Sequence, residues 1–413
     1  MFTGLMIGSL VKRYASNFLA NTLQQGLRFL LLYLAAKVLG PAEFAVVSFV
    51  LLITGYLLNS NLGAINGIKR QVPLVYSRKG NGFVLSSFFS ILNFNWIATF
   101  IASLAAALVL YFYYRYDLGV SILMVFIALS FNTYFAVQTY FTCTGSWLDL
   151  FRLQLLCAGL LIIVSLSLFF ESTPIFFFTY ASSFALAALF FFVKKGYQLR
   201  FDRAIIRENI GVGFPVMISG FIYLLFQTTD RLIVSHFYTD ADFGYYSFAW
   251  VLVLTLNLVV NMSSEIILQK AATYHSHVHN KVLLLKYLLK YSLLVQLALC
   301  IVTVLLIAAA KYAIPVYFNE YTPAIPVITN LIIAYLIQQL ALGAANFYYI
   351  IGRQKIYNLM LVLSLIVNAA LLLGAVTYPS EMPGIASLSR LYIVSSCIYI
   401  IFMYLPLLKK DIL

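Results

Sequence analysis

The sequence predicts an all-α, polytopic membrane protein, with about twelve transmembrane helices in two six-helix bundles around a central cavity. Three observations predict it. The chain is 63% hydrophobic and only 9% charged. Apolar runs of about 20 residues, the length a helix needs to cross a hydrocarbon core roughly 30 Å thick, recur from end to end. Lys and Arg fall in short clusters between those runs.

A mean hydropathy of +0.96 over 413 residues leaves more apolar surface than a soluble core can hide, so the excess must face lipid. The net charge of +13 follows from the inter-span clusters rather than from one basic helix or tail, which argues for membrane orientation and against nucleic acid. Cys143, Cys157, Cys300 and Cys397 lie in or beside apolar segments without a CxxC pair, so neither a disulfide framework nor a cysteine metal site is expected. The first segment follows Lys12 and Arg13 and is too long and polar for a signal peptide, so it is expected to stay in the mature chain.

Read against breakers, the apolar runs place spans near 17–39, 44–64, 84–110, 119–142, 152–170, 174–193, 211–235, 243–264, 284–310, 324–350, 356–377 and 385–408. With a cytoplasmic N-terminus, the inner segments hold Lys12, Arg13, Lys69, Arg70, Arg78, Lys79, Arg152, Lys194, Lys195, Arg200, Arg203, Arg207, Lys270, Lys281, Lys286, Lys290, Arg353, Lys355, Lys409 and Lys410. The outer side then holds only Lys37, Arg115 and Lys311, so both termini are expected in the cytoplasm. Every outer loop is short, which leaves little room for the folded loop that an enzyme working on the outer face uses to hold its catalytic groups.

Ala42 to Phe49 reads AEFAVVSF, and Ala241 to Phe248 reads ADFGYYSF, an offset of 199 residues. That offset is about half the chain and predicts a parallel repeat, with lobes 1–193 and 211–413 joined by a basic cytoplasmic linker over 194–210. Repeated halves commonly enclose a central site and rock about it.

Polar residues inside the spans mark the candidate site. Span one carries Asn17, Asn21, Gln24, Gln25 and Arg28, spaced three or four apart along one helix face. Shifted by 199, Gln24 and Arg28 land on Tyr223 and Gln227, and span seven continues through Asp230 and Arg231. A charge at membrane depth costs about 2.5 to 3.5 kcal/mol on insertion scales, so it faces a wet cavity or a partner. Arg28 is mid-span, whereas Arg231 and Arg390 lie nearer the outer end, where an anchor to headgroups is the alternative to substrate binding. Asp230 is a charge partner for Arg28 or Arg390, a proton or sodium coupling site, or a helix-end feature. Being adjacent to Arg231, it is roughly 100° away on the helix and poorly placed to pair with it. Three arginines against one aspartate favour an anion, since the guanidinium fork fits phosphate or carboxylate oxygens.

Asn93, Asn95, Asn132, Gln138, Asn257, Asn261, Gln338 and Asn346 are expected to join helices by hydrogen bonds or to meet sugar hydroxyls. His275, His277 and His279 lie in a basic loop without Cys or acidic companions, so no metal is expected there. The chain has no Walker loop, GxSxG or HExxH, and no cofactor is called for.

Leu39-Gly40-Pro41-Ala42-Glu43-Phe44, Asn61-Leu62-Gly63 and Arg70-Gln71-Val72-Pro73 resemble the start of Wzx-type O-antigen and polysaccharide flippases, in the superfamily of multidrug, oligosaccharidyl-lipid and polysaccharide exporters. Gly213-Phe214-Pro215, Thr229-Asp230-Arg231 and Phe243-Gly244-Tyr245-Tyr246-Ser247 are similar to that family's seventh span and following turn. The likeness extends over the whole chain in length, span count and lobe layout. It implies flipping of an undecaprenyl-diphosphate-linked oligosaccharide from the cytoplasmic to the periplasmic leaflet of a bacterial inner membrane, with cavity charges at Arg28, Asp230 and Arg231 and association with other polysaccharide-assembly membrane proteins; direction is expected from an ion gradient, of H+ or Na+, or from product removal. Asn61 departs from the pattern, since relatives often carry Asp there. Two other readings stay open: a drug or metabolite antiporter of the same fold, which calls for more buried acids, and a membrane glycosyltransferase or polymerase, which calls for a long outer loop.

Overall fold

The computed structural model describes residues 2–278, 280–377 and 384–408. His279, Lys409 and Lys410, and the side chains of Lys12, Arg13, Asn17, Asn261 and His277, lie outside the described residues.

Among the described residues the regular structure is helical throughout. α1 spans Phe2–Leu57 and breaks at Gly40, whose φ of 74° and ψ of 172° only glycine adopts without strain. Pro41 then opens the second arm, with its ring fixing the φ a first helical turn needs. α2 (Ala64–Leu74) follows a tight turn, and then come α3 (Asn81–Phe112), α4 (Leu118–Cys143), α5 (Trp147–Ser167) and α6 (Thr173–Lys195). The remainder holds α7 (Arg203–Phe237), α8 (Asp240–Val278), α9 (Lys281–Tyr317), α10 (Ile325–Gln339), α11 (Leu342–Ile350), α12 (Gln354–Thr377) and α13 (Ile385–Tyr404).

Ten helical stretches among the described residues are long and apolar enough to cross a membrane, and the chain is a multi-pass membrane protein. Counting α1 as two arms and adding α8, which falls outside those ten, gives the twelve spans expected. On α9, Leu293, Leu297, Ile301, Val304 and Leu305 are exposed at spacings of three and four, one apolar stripe turned to lipid.

Several boundaries differ from expectation. Span two ends at Leu57, and the stretch read as the end of that span and a polar loop contains α2, whose Ala64, Ile68 and Val72 are buried at spacing four while Lys69 and Arg70 stay outside. Asn61 shapes the turn before it: its side chain accepts from the Gly63 amide at 3.0 Å and donates to the Leu58 carbonyl at 3.0 Å. The tenth span divides into α10 and α11 at Leu340 and Ala341. α7 begins at Arg203, eight residues earlier than the apolar run alone suggested.

The chain forms two compact units, Met1–Leu39 with Val47–Ile218, and Gly40–Val46 with Ser219–Leu413. In the first, α4 packs against α3 and α6, and α6 against α5, around buried rings of Phe88, Phe131, Tyr134, Phe184 and Phe191. α2 crosses the start of α7 backbone to backbone: a Cβ on Gly67 would lie 2.0 Å from the Asn209 carbonyl oxygen, and one on Gly213 2.0 Å from that of Gly63. The segment between α6 and α7 is strapped down. Asn93 donates to the carbonyls of Gln198 and Arg200 at 3.2 and 3.0 Å, accepts from the Tyr197 hydroxyl at 2.8 Å, and Tyr197 stacks on Trp96. An ion pair joins Lys194 to Asp149. In the second unit, α10 packs on α13 and α8, and α12 on α13, over a core that includes Phe226, Leu288, Phe347, Tyr348 and Tyr399.

Candidate transport site

The polar face of α1 turns into the interior of the first unit. Gln24 is buried and donates through Nε2 to Cys157 Sγ at 3.3 Å, while its Oε1 has no hydrogen-bond partner among the described residues. One turn on, Arg28 is half-buried. Its guanidinium carbon lies 4.6 Å from the centre of the Phe131 ring, in electrostatic reach of Tyr134, Cys157 and Tyr180. Among the described residues no carboxylate forms an ion pair with it, and its Nε has no hydrogen-bond acceptor. An aromatic face in that position offsets part of the desolvation cost of the charge.

In the second unit the corresponding face belongs to α7. Tyr223 and Gln227 meet each other, Gln227 Nε2 donating to the Tyr223 hydroxyl at 2.9 Å. Asp230 is fully buried and accepts three hydrogen bonds. They come from Tyr246 OH at 2.9 Å, Trp250 Nε1 at 2.8 Å and the Arg231 amide at 2.8 Å. Arg231 places its guanidinium 4.9 Å from the centre of the same Trp250 ring. One indole on α8 thus meets both side chains, Asp230 at its N–H and Arg231 at its ring. Among the described residues of its unit, these three groups are the donors to Asp230. Arg390, on α13, is exposed.

Four of the expected helix-joining groups have protein partners: Asn93 as described, Asn132 donating to the Leu57 carbonyl at 3.1 Å, Gln338 to Ser396 Oγ at 3.0 Å, and Asn257 with Tyr335. Both polar atoms of Asn95 and the Nδ2 of Asn346 are buried without a partner among the described residues.

These features belong to a recognisable scaffold. The fold is similar to that of solved MATE family transporters and of the flippase MurJ. A lipid II flippase, MurJ, in an inward closed conformation superposes with a TM-score of 0.71 at 14% identity, covering 97% of this chain and 89% of that one. An inward-facing multidrug resistance MATE family transporter of the MOP superfamily gives 0.67 at 12% identity, covering 91% and 93%. An outward-facing multidrug resistance MATE family transporter of the same superfamily gives 0.64 at 13% identity, covering 95% and 94%. No family model and no curated protein matches the sequence.

Sequence reasoning missed Phe131 and Trp250. Phe131 sits 103 residues from Arg28 among many other phenylalanines and carries no local signal. Trp250 did carry one: it is one of three tryptophans, placed within a span where its N–H needs an acceptor.

Proposed function

We propose that this chain flips an undecaprenyl-diphosphate-linked oligosaccharide, an O-antigen or similar polysaccharide repeat unit, from the cytoplasmic to the periplasmic leaflet of a bacterial inner membrane by alternating access. The observation that carries the reading is Arg28: a cation within a membrane span, held against an aromatic ring with no carboxylate paired to it among the described residues. Such a group offers a diphosphate two parallel donors in a low-dielectric setting. The likeness to a lipid II flippase supports a lipid-linked cargo.

In this reading Arg28 and Arg231 bind the diphosphate, with Arg390 as a third cation, and Gln24, Tyr223 and Gln227 contact the sugars. The polyprenyl tail stays in lipid, and lobes 1–193 and 211–413 expose the headgroup first to one side and then to the other. Asp230 is the ion-coupling site or charge partner, held in place by Tyr246, Trp250 and the Arg231 amide. A gradient of H+ or Na+, or removal of the product, sets direction. Both termini are cytoplasmic, and other polysaccharide-assembly membrane proteins are the expected associates.

Likeness to multidrug transporters favours a second reading, an antiporter of the same fold. Purified protein reconstituted in vesicles with a fluorescent polyprenyl-diphosphate oligosaccharide decides between them. Flipping moves label to the leaflet inaccessible to a membrane-impermeant quencher. Vesicles that extrude cationic dyes and leave the lipid in place contradict the proposal.

A further inference from the structure

The first unit carries an apolar groove, none of whose lining residues belongs to the candidate transport site. Its cavity of about 590 Å³ lies between α3, α4 and α6. Leu129 and Thr133 of α4 and Ala185 of α6 form part of the wall. Ile97, Phe100 and Leu189, also in the lining, are half exposed. We infer that the groove binds an anionic phospholipid, with one acyl chain lying in it and the phosphate resting against Lys195 and Arg200. The inference is independent of the cargo proposed above.

All three helices are long and apolar enough to cross a membrane. The groove opens between two apolar stripes turned to lipid. Ile97, Ile101, Leu104 and Leu108 are exposed on α3 at spacings of three and four, and so are Leu186, Leu189 and Val193 on α6. Hydrocarbon is the solvent at that depth. An empty hollow there forfeits packing contacts along its walls, and water does not fill an apolar one. The polar groups of Trp96 and Thr133 ask an occupant for no hydrogen bond. Trp96 Nε1 donates to Thr133 Oγ1 at 2.8 Å, and that hydroxyl donates to the Leu129 carbonyl at 2.6 Å.

Charge at one end of the groove selects the lipid. Phe192 is the last lining residue on α6, and Lys195 follows it by three residues. Tyr197 closes the same end, stacking on Trp96 at 5.7 Å and meeting Phe192 at 6.1 Å. Arg200 is brought there because Asn93, one turn before Trp96 on α3, donates to its carbonyl at 3.0 Å. Lys195 is half-buried and Arg200 exposed. Asp149 pairs with Lys194, and among the described residues neither Lys195 nor Arg200 forms an ion pair. The stretch 193–201 contains no acid. A phosphate at the water boundary thus meets two cations while its chain enters the groove, and each such cation favours anionic lipid by about fivefold. A straight acyl chain fills a hollow of this size, whereas most of a long polyprenyl chain would stay outside it. Acyl chains also outnumber every other chain in a bilayer.

The test uses the full chain in phosphatidylcholine nanodiscs that contain a minority of phosphatidylglycerol with a diazirine in its acyl chain. After irradiation, labelled peptides are mapped by mass spectrometry. Wild type takes label in 96–100, 126–133 and 185–192 about tenfold above the lipid-facing stripe of α9 around Leu297. Ala185→Phe, which puts a ring into the groove, brings groove label down to the level of that stripe. Lys195→Gln combined with Arg200→Gln lowers groove label about tenfold, and Leu297→Phe leaves it unchanged. Equal label over groove and stripe in the wild type overturns the inference. So does groove label that survives Ala185→Phe or the double substitution. Loss of groove label to unlabelled polyprenyl phosphate, with phosphatidylglycerol kept in excess, gives the groove to a prenyl chain and overturns it as well. Should Ala185→Phe not fold, the substitutions at Lys195 and Arg200 decide alone.

Discussion

Trp250 donates its indole N–H to Asp230 at 2.8 Å across the α7–α8 pair, and Tyr246, one turn before it on α8, donates to the same oxygen at 2.9 Å. Positions 199 residues earlier hold Leu31, Val47 and Leu51, so the matching place in the first half of the repeat is apolar. The second unit builds a buried carboxylate at this position, and Arg231 rests on the indole that donates to it.

Asp230→Leu strands two donors in an apolar interior, at about 1–3 kcal/mol each. A lowered thermal midpoint of the purified protein is expected. Asp230→Asn keeps an amide oxygen that accepts from both side-chain donors and falls much less. Equal loss in the two variants would contradict the acceptor role, and full stability with lost transport in the Asn variant would point to ion coupling instead.

Asn93→Leu removes all three hydrogen bonds that strap the 196–202 segment to α3. Limited trypsin digestion at Arg200 and Arg203 is expected to run several-fold faster in the variant, because cleavage follows the population of locally opened backbone. An unchanged rate means that the Tyr197 stacking on Trp96 holds the segment alone.

Gly213→Val places side-chain atoms where the Gly63 carbonyl already stands and must push α2 off α7, a cost of about 1–3 kcal/mol or more. A Cβ on Gly220, two turns further along α7, meets nothing within 4 Å. Gly220→Ala is expected to leave the monodisperse fraction on size-exclusion chromatography unchanged while Gly213→Val lowers it. Equal behaviour of the pair would mean that the crossing adapts.

The membrane-spanning plan was legible because apolar length is a one-dimensional signal, and Gly40-Pro41 marks its own break. α2 was hidden by its polar face: Lys69, Arg70 and Gln71 read as loop, although Ala64, Ile68 and Val72 carry a helical period. The break between α10 and α11 has no glycine or proline at Leu340 and Ala341 to announce it. At the candidate site the arginines and Asp230 stood out, since charge within a span is rare. Their partners did not, because which of many rings lies beneath a guanidinium is decided by packing between helices far apart in sequence.

In the proposed function Arg28, which has no carboxylate partner among the described residues, serves an anionic headgroup. The most direct test of that role is flipping of the labelled polyprenyl-diphosphate oligosaccharide by Arg28→Ala and Arg28→Lys proteins, each present in the membrane at wild-type level. Flipping is expected to be abolished in Arg28→Ala and partly retained in Arg28→Lys, which keeps the charge but not the fork. Wild-type flipping by Arg28→Ala would contradict it.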